Sequence, residues 1–369
     1  MIRLAAVAVR FTAFQGRAPR ACARLTGNTG ARRTGTLICI LPSVVATLAA
    51  GAVAAADPSP APRSAGPGAA RPAAGPGGVD PAAVPLLVSP AWLAAHLEDP
   101  SLVVLHVGDE EAYKKNHIAG ARRVALSEIS ISKHGDGLML ELPPAEDLRD
   151  RLEAIGISNS SRVVVYFGED WVSPATRVVL TLDAAGLGAH AGLLDGGMPA
   201  WIAAGNAVTD AASPVRKGTL AALTIRPIIV DATTVMTSLG KPGFAVVDAR
   251  DKEFYDGTRT GDSHDHPHKT GHIAGALSIP FTSVWDDHNT LLPADQLAAR
   301  FTRAGVAPGD TVIGYCHIGQ QATAMLFAAR RLGHKVLLYD GSFEDWSLFH
   351  PGYPVETSAS TAKAPEARP

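Results

Sequence analysis

The chain has 369 residues, enough for two domains of ordinary size plus terminal segments. With 46% hydrophobic and 18% charged residues it can bury a core, which excludes a wholly disordered chain. The formal charge of −2 hides an asymmetry: residues 1–56 carry seven arginines and no acid, so the rest sets 26 basic residues against 35 acidic ones, about −9. That balance offers no basic footprint for nucleic acid. Of three cysteines, Cys22 and Cys39 lie in the N-terminal segment, so a disulfide framework is excluded and Cys316 alone needs an explanation.

Residues 1–56 have the plan of an export signal. Arginines precede an apolar run from Thr36, and Ala54, Ala55 and Ala56 supply the small residues of a cleavage site. The basic region is long, which points to a start downstream of Met1, and Arg32-Arg33 would suit a twin-arginine signal although its flanks match poorly. The alternative is a retained anchor, since about 20 apolar residues span a bilayer. Pro42 and the abundance of Ala and Gly favour cleavage. The mature chain is therefore expected to be exported, periplasmic or extracellular, without stable membrane insertion. From Asp57 to Pro85, 21 of 29 residues are Ala, Pro or Gly, a composition expected to form a disordered linker, and 358–369 reads as a disordered tail.

Between these ends the chain repeats itself at a spacing of about 145 residues. Each half opens with a capped helix, Ser89 before Pro90 and Ala91–Leu97, then Asp231 before Ala232–Leu239. An apolar strand follows, Leu102–Val107 and Phe244–Ala249. His117-Ile118-Ala119-Gly120-Ala121 is then echoed by His272-Ile273-Ala274-Gly275-Ala276. Amphipathic helices Ala145–Ile155 and Ala294–Ala304 lead to strands Arg162–Tyr166 and Thr311–Tyr315. Finally Leu194-Asp195-Gly196 with Trp201 matches Tyr339-Asp340-Gly341 with Trp346. Alternating strands and helices predict an α/β fold in two similar halves, 86–212 and 213–357, each a parallel sheet covered by helices on both faces.

In the second half the strand stops at Cys316, and His317-Ile318-Gly319-Gln320-Gln321-Ala322 precedes a helix predicted over Thr323–Leu332. A strand ending in a short loop that opens a helix puts the loop at the carboxyl edge of the sheet, where amides and the helix dipole favour an anion. The same field favours the thiolate, the reactive form of cysteine. Cysteine is also a small hydrophobe that suits a strand end. Phe167 at the matching place shows that an apolar residue suffices for packing there, and it leaves the first half without a nucleophile.

These features together resemble the two-domain rhodanese sulfurtransferases: tandem repeats, HIAGA in each, Asp248-Ala249-Arg250 after a strand, and a cysteine opening a six-residue loop. The resemblance covers Leu86–Val355. It implies that Cys316 takes sulfane sulfur from a donor such as thiosulfate, becomes a persulfide, releases sulfite and passes the sulfur to cyanide or a thiol. No metal or organic cofactor is implied, the partners are these small molecules, and a monomer is expected. The implied anion donors are the amides of His317 to Ala322, with Gly319 allowing the tight turn. Gln320 and Gln321 would donate to substrate or else face solvent or cap the helix, and His317 would serve as proton carrier or electrostatic partner.

The chain departs from the thiosulfate-preferring pattern. Ile318 stands where a basic residue is common, and Glu253 or Phe254 where an arginine is. The loop also lacks the small Gly and Ser residues of the 3-mercaptopyruvate branch. Thiosulfate is the expected donor, with 3-mercaptopyruvate, or a non-enzymatic persulfide carrier that binds partners, as the alternatives. Arg250 with Asp248 is the nearest charged candidate for substrate binding, or else a structural ion pair, and Arg259 and Lys269 lie in a loop that would reach the site. His264, Asp265, His266, His268 and His272 in that loop suit a metal or a solvated loop, and no metal is expected. A phosphatase needs an arginine across its loop; Ala322 stands there instead.

Overall fold

The computed structural model describes residues 83–132, 137–168, 171–263 and 266–358. Residues 1–56, expected as an export signal, 57–82 of the expected linker, the tail from 359 and the residues His264 and Asp265 lie outside the described residues, whereas the end of that linker is ordered, with Val84 buried and its amide donating to the Ala189 carbonyl at 3.0 Å. Two five-stranded parallel sheets share one topology. Across the first run Leu87–Val88, Ala191–Leu194, Arg162–Phe167, Leu102–Val107 and Arg122–Arg123. Across the second run Ile229–Val230, Lys335–Tyr339, Thr311–Tyr315, Phe244–Asp248 and Leu277–Ser278. The register pairs His106 with Tyr166 and Asp248 with Tyr315, which makes Phe167 the counterpart of Cys316.

Local chemistry explains the boundaries. Ser89 Oγ accepts the Trp92 amide at 3.1 Å and Asp231 Oδ1 that of Thr234 at 2.8 Å, so both opening helices are capped where expected. Leu148 with Leu152, and Leu297 with Phe301, bury one face of the helices Ala145–Ala154 and Ala294–Ala304, as i, i+4 spacing requires. The HIAGA elements are pinned alike. The amide of Ile118 donates to Tyr166 Oη, and that of Ile273 to Tyr315 Oη, each at 3.1 Å. Tyr113 and Tyr255 donate their hydroxyls to Ala121 and Ala276 carbonyls, each at 2.8 Å, and stack on His117 and His272.

Alternate strand residues divide the core. Val104, Val164 and Tyr166 pack with Trp201 on one face of the first sheet, and Val246, Ile313 and Tyr315 with Trp346 on one face of the second. The opposite faces, with Val103, Leu105, Val163 and Val165 on one side and Val247, Val312 and Cys316 on the other, belong to a single shared core. Helices Val172–Ala184 and Gln321–Arg331 meet in that core and are apolar over most of their circumference, as helices packed between two layers must be. No helix among the described residues is long and apolar enough to cross a membrane.

The Tyr166 hydroxyl caps a buried amide far from Cys316, so Tyr166→Phe should lower stability by about 1–3 kcal/mol by leaving Ile118 without an acceptor. Urea unfolding checks this: the midpoint should fall at an unchanged slope.

Candidate active site

Cys316 follows the central strand of the second sheet and is fully buried. The helix beyond it starts at Gln321, two residues earlier than expected, and Leu332 is its cap, so Gln321 and Ala322 belong to the first helical turn. The loop proper is thus His317–Gln320. Gly319 sits at φ +79°, and a Cβ there would lie 2.5 Å from the Asp340 carbonyl oxygen. Glycine is required twice over, by conformation and by space. The amide of Thr323 donates to the Gln320 carbonyl at 3.1 Å. By contrast, no acceptor among the described residues takes the amide hydrogens of His317, Ile318, Gly319, Gln320, Gln321 or Ala322. Six successive N–H groups after a buried cysteine are thus left available to an anion.

The carbonyl sides of the same peptides are occupied. Phe343 and Glu344, in the first turn of the helix Ser342–Leu348, donate their amides to the carbonyls of Cys316 and His317, each at 3.0 Å. The amide of Cys316 donates to Ser342 Oγ at 3.2 Å, and that hydroxyl donates to the Tyr339 carbonyl at 2.9 Å. Ser342 holds the left-handed φ of +53°. Its counterpart in the first half is Gly197 at φ +54°, where a Cβ would come within 2.6 Å of Phe167. A large residue paired with glycine in one half is exchanged for a small thiol paired with serine in the other. Ser342 was missed in the sequence, and the Gly197-to-Ser342 difference directly after the matched Asp-Gly was the available signal.

The expected substrate-binding side chains are placed less uniformly. Asp248 is fully buried and forms a forked ion pair with Arg250, Nε to Oδ1 at 3.0 Å and Nη2 to Oδ2 at 2.6 Å, and Arg250 Nη2 also donates to the Gly271 carbonyl at 2.7 Å. Asp248 therefore anchors Arg250 rather than facing a donor molecule. Burial opposes the guanidinium charge, and the Asp248 carboxylate outweighs it and raises the pKa. The guanidinium stacks 3.9 Å above Phe343 and is close enough to Cys316 for the two charges to interact; Nη1 has no hydrogen-bond partner among the described residues. Lys269 does not reach the site: its Nζ donates to the His350 and Tyr353 carbonyls at 2.7 and 2.9 Å. Arg259 stays exposed above Phe254, whose ring meets His317 edge-on. Gln320 turns away from the cradle, its Nε2 donating to Ser173 Oγ of the first half at 3.1 Å. Ile318 and Gln321 are half-buried at the loop.

His317 and His268 face each other at 5.7 Å between ring centroids, and Gly261 leaves room for both. Burial, reinforced by the Arg250 charge, pulls His317 down to about 3 and His268 to about 4. His317 is therefore neutral near pH 7, which leaves its ring nitrogens as hydrogen-bonding groups and supplies no positive charge. His272 instead holds the chain, with Nδ1 donating to the Tyr255 carbonyl at 2.7 Å. Among the described residues no three His, Cys, Asp or Glu side chains gather to hold a metal.

The first half also enters the site. Thr176 and Thr323 hydroxyls bond at 2.8 Å, and buried Arg177 reaches both Gly319 and Asp340. Neither Thr176 nor Arg177 stands out in the sequence, because their partners lie about 140–165 residues away.

Comparison with known proteins agrees with this geometry. Residues 89–204 and 231–348 each match the Rhodanese-like domain family. The chain is 32% identical over 278 residues to a probable 3-mercaptopyruvate sulfurtransferase of Pseudomonas aeruginosa, covering 72% of this chain and 95% of the relative. It is 31% identical over 305 residues to thiosulfate/3-mercaptopyruvate sulfurtransferase 1, mitochondrial, of Arabidopsis thaliana, covering 73% and 78%. A solved structure of EanB superposes with a TM-score of 0.65 at 22% identity, over 74% of this chain and 69% of that one, and shares the fold.

Because both histidines take up protons on unfolding, the unfolded chain binds more protons than the folded one between about pH 6.5 and pH 4, and stability must fall as pH is lowered through that window. The melting temperature should therefore drop less between pH 7 and pH 4.5 in a His268→Gln/His317→Gln variant than in the wild type, as differential scanning calorimetry would read directly.

With two matched domains and curated relatives that are sulfurtransferases, the chain belongs to the rhodanese family as a tandem, two-domain sulfurtransferase.

Proposed function

We propose that the protein is a thiosulfate sulfurtransferase working through a Cys316 persulfide. The observation that carries this reading is the run of six unpaired amides that follows the buried thiol. In the first step the Cys316 thiolate attacks the outer sulfur of thiosulfate. A sulfur–sulfur bond forms, the donor's sulfur–sulfur bond breaks, and sulfite leaves with the electron pair. In the second, cyanide or a thiolate attacks the terminal sulfur, and the Cys316 thiolate is regenerated. Both steps place negative charge on sulfur inside the loop, and the amides of His317 to Ala322 stabilise it without side-chain charge. Arg250, locked by Asp248, adds a fixed cation whose Nη1, without a hydrogen-bond partner among the described residues, suits an oxyanion of the donor.

Cys316→Ser should abolish transfer with the fold retained, because a hydroxyl is a far weaker nucleophile near neutral pH. Intact mass after thiosulfate treatment should show one added sulfur atom on the wild type and none on the variant. More than trace turnover by Cys316→Ser would overturn the mechanism.

The choice of donor rests on charge. Thiosulfate is a dianion and gains more from the amides, the start of the helix Gln321–Arg331 and Arg250 than does 3-mercaptopyruvate, with its single carboxylate. A relative named as a 3-mercaptopyruvate sulfurtransferase keeps that donor as the second reading. Side-by-side assays should give the higher kcat/KM with thiosulfate. A value more than about tenfold higher with 3-mercaptopyruvate, about 1.4 kcal/mol in transition-state stabilisation, would reverse the assignment.

A further inference from the structure

Arg177 lies on the helix Val172–Ala184 of the half that has no nucleophile, and its side chain is only 2% exposed. Its Nη1 donates to the Gly319 carbonyl at 3.1 Å and to Asp340 Oδ1 at 2.5 Å, and its Nη2 donates to the Leu140 carbonyl at 2.5 Å. Asp340 Oδ2 accepts the Leu142 amide at 2.8 Å. A buried cation of one half thus grips the nucleophile loop of the other, and a buried carboxylate neutralises it.

The grip fixes a direction as well as a place. A trans peptide sets its N–H opposite its C=O, so the Gly319 carbonyl and the Gln320 amide belong to one rigid unit. Holding the carbonyl toward Arg177 turns the Gln320 amide away from it, and that amide, like the others of the loop, has no acceptor among the described residues. The left-handed φ of Gly319 leaves that peptide otherwise free to rotate, since glycine imposes no barrier of its own. Gln320 is tied down by the same half through Ser173.

The two halves are not equivalent here. The repeat places no basic residue at the position of Arg177, whether counted from Phe167 and Cys316 (Leu326) or back from Gly186 and Gly333 (Ala324), and places Asp195 at that of Asp340. Asp195 accepts the Leu291 amide at 3.0 Å, as Asp340 accepts that of Leu142, yet among the described residues no basic side chain pairs with it. Burial raises the Asp195 pKa. The aspartate-to-amide latch is common to both halves, whereas the arginine is present only where it can reach the loop after Cys316.

We infer that Arg177 is a positioning residue for sulfur transfer, supplied by the first half, which aims the Gly319–Gln320 peptide so that the Gln320 amide joins the cradle around the Cys316 sulfur. This inference rests on the proposed role of Cys316. Removing Arg177 alone would leave Asp340 buried without its cation, which by itself destabilises, so the test replaces the pair with apolar residues. Arg177→Leu/Asp340→Leu should fold with a cooperative melt. Its kcat/KM for thiosulfate should fall by about tenfold or more, in line with losing one oxyanion donor. The Cys316 thiol pKa, read from the pH dependence of iodoacetamide alkylation, should rise. Arg177→Lys keeps a cation and a donor and should recover much of both. The alkylation titration needs no sulfur donor, so it tests the inference even if thiosulfate is the wrong substrate or no sulfur is transferred. A folded double variant with thiol pKa and kcat/KM within about twofold of wild type would overturn the inference. Failure of both variants to fold, or a loss that follows the melt with the thiol pKa unmoved, would assign Arg177 to stability alone and overturn it equally.

Discussion

The proposed chemistry depends on keeping a run of backbone amides without acceptors among the described residues of a folded protein. An unsatisfied buried N–H works against folding by about 1–3 kcal/mol, so a loop left alone would twist its amides toward the nearest carbonyls. The molecule prevents this by binding the opposite side of the peptides. The helix Ser342–Leu348 takes the carbonyls of Cys316 and His317, Ser342 takes the Cys316 amide itself, and Arg177 takes the carbonyl of Gly319. With their carbonyls committed outward, the amides have one direction left.

The domain without a nucleophile takes part in holding this loop through Arg177 and Ser173. The two sheets share one core on their facing sides, and the helices Val172–Ala184 and Gln321–Arg331 meet within it. That core can help offset the strain of Ser342 and the unpaired amides, since fully burying each large aliphatic side chain contributes about 1.5–3 kcal/mol. The exchange of Phe167 and Gly197 for Cys316 and Ser342 is the local form of the same division. One half fills the strand end for packing, and the other opens it for chemistry.

Much of this was legible in the sequence, for physical reasons that can be named. Strand and helix positions followed from apolar periodicity and from Ser89 and Asp231 as caps, and the position of Cys316 followed from the strand–loop–helix pattern. Side-chain direction was not legible. Lys269 and Gln320 look like donors for a substrate, yet one ties down the C-terminal loop and the other binds Ser173, because spacing along a chain does not say which way a loop residue turns. Nothing in the sequence singles out Arg177. Its meaning comes from Asp340 and Gly319, which only the fold brings near. The charge state of His317 was not legible for a related reason: the charge of a histidine depends on its burial, and adjacency to a nucleophile says nothing of that.

The remaining question is how an acidic protein of about −9 outside its N-terminal segment draws an anion to one cysteine. Net charge governs the approach only weakly, since charges beyond about 10 Å are screened at 0.1 M salt. What acts at the sulfur is close and fixed: amide dipoles, the start of a helix of eleven residues, and Arg250 held by two bonds to Asp248 and stacked on Phe343. In buried surroundings such groups count for more than exposed charges do, and they would need no rearrangement for the proposed persulfide to form. A neutral His317 fits the same scheme. A second mobile cation would add little to the oriented dipoles, whereas an uncharged ring can sit against the loop and keep water from it.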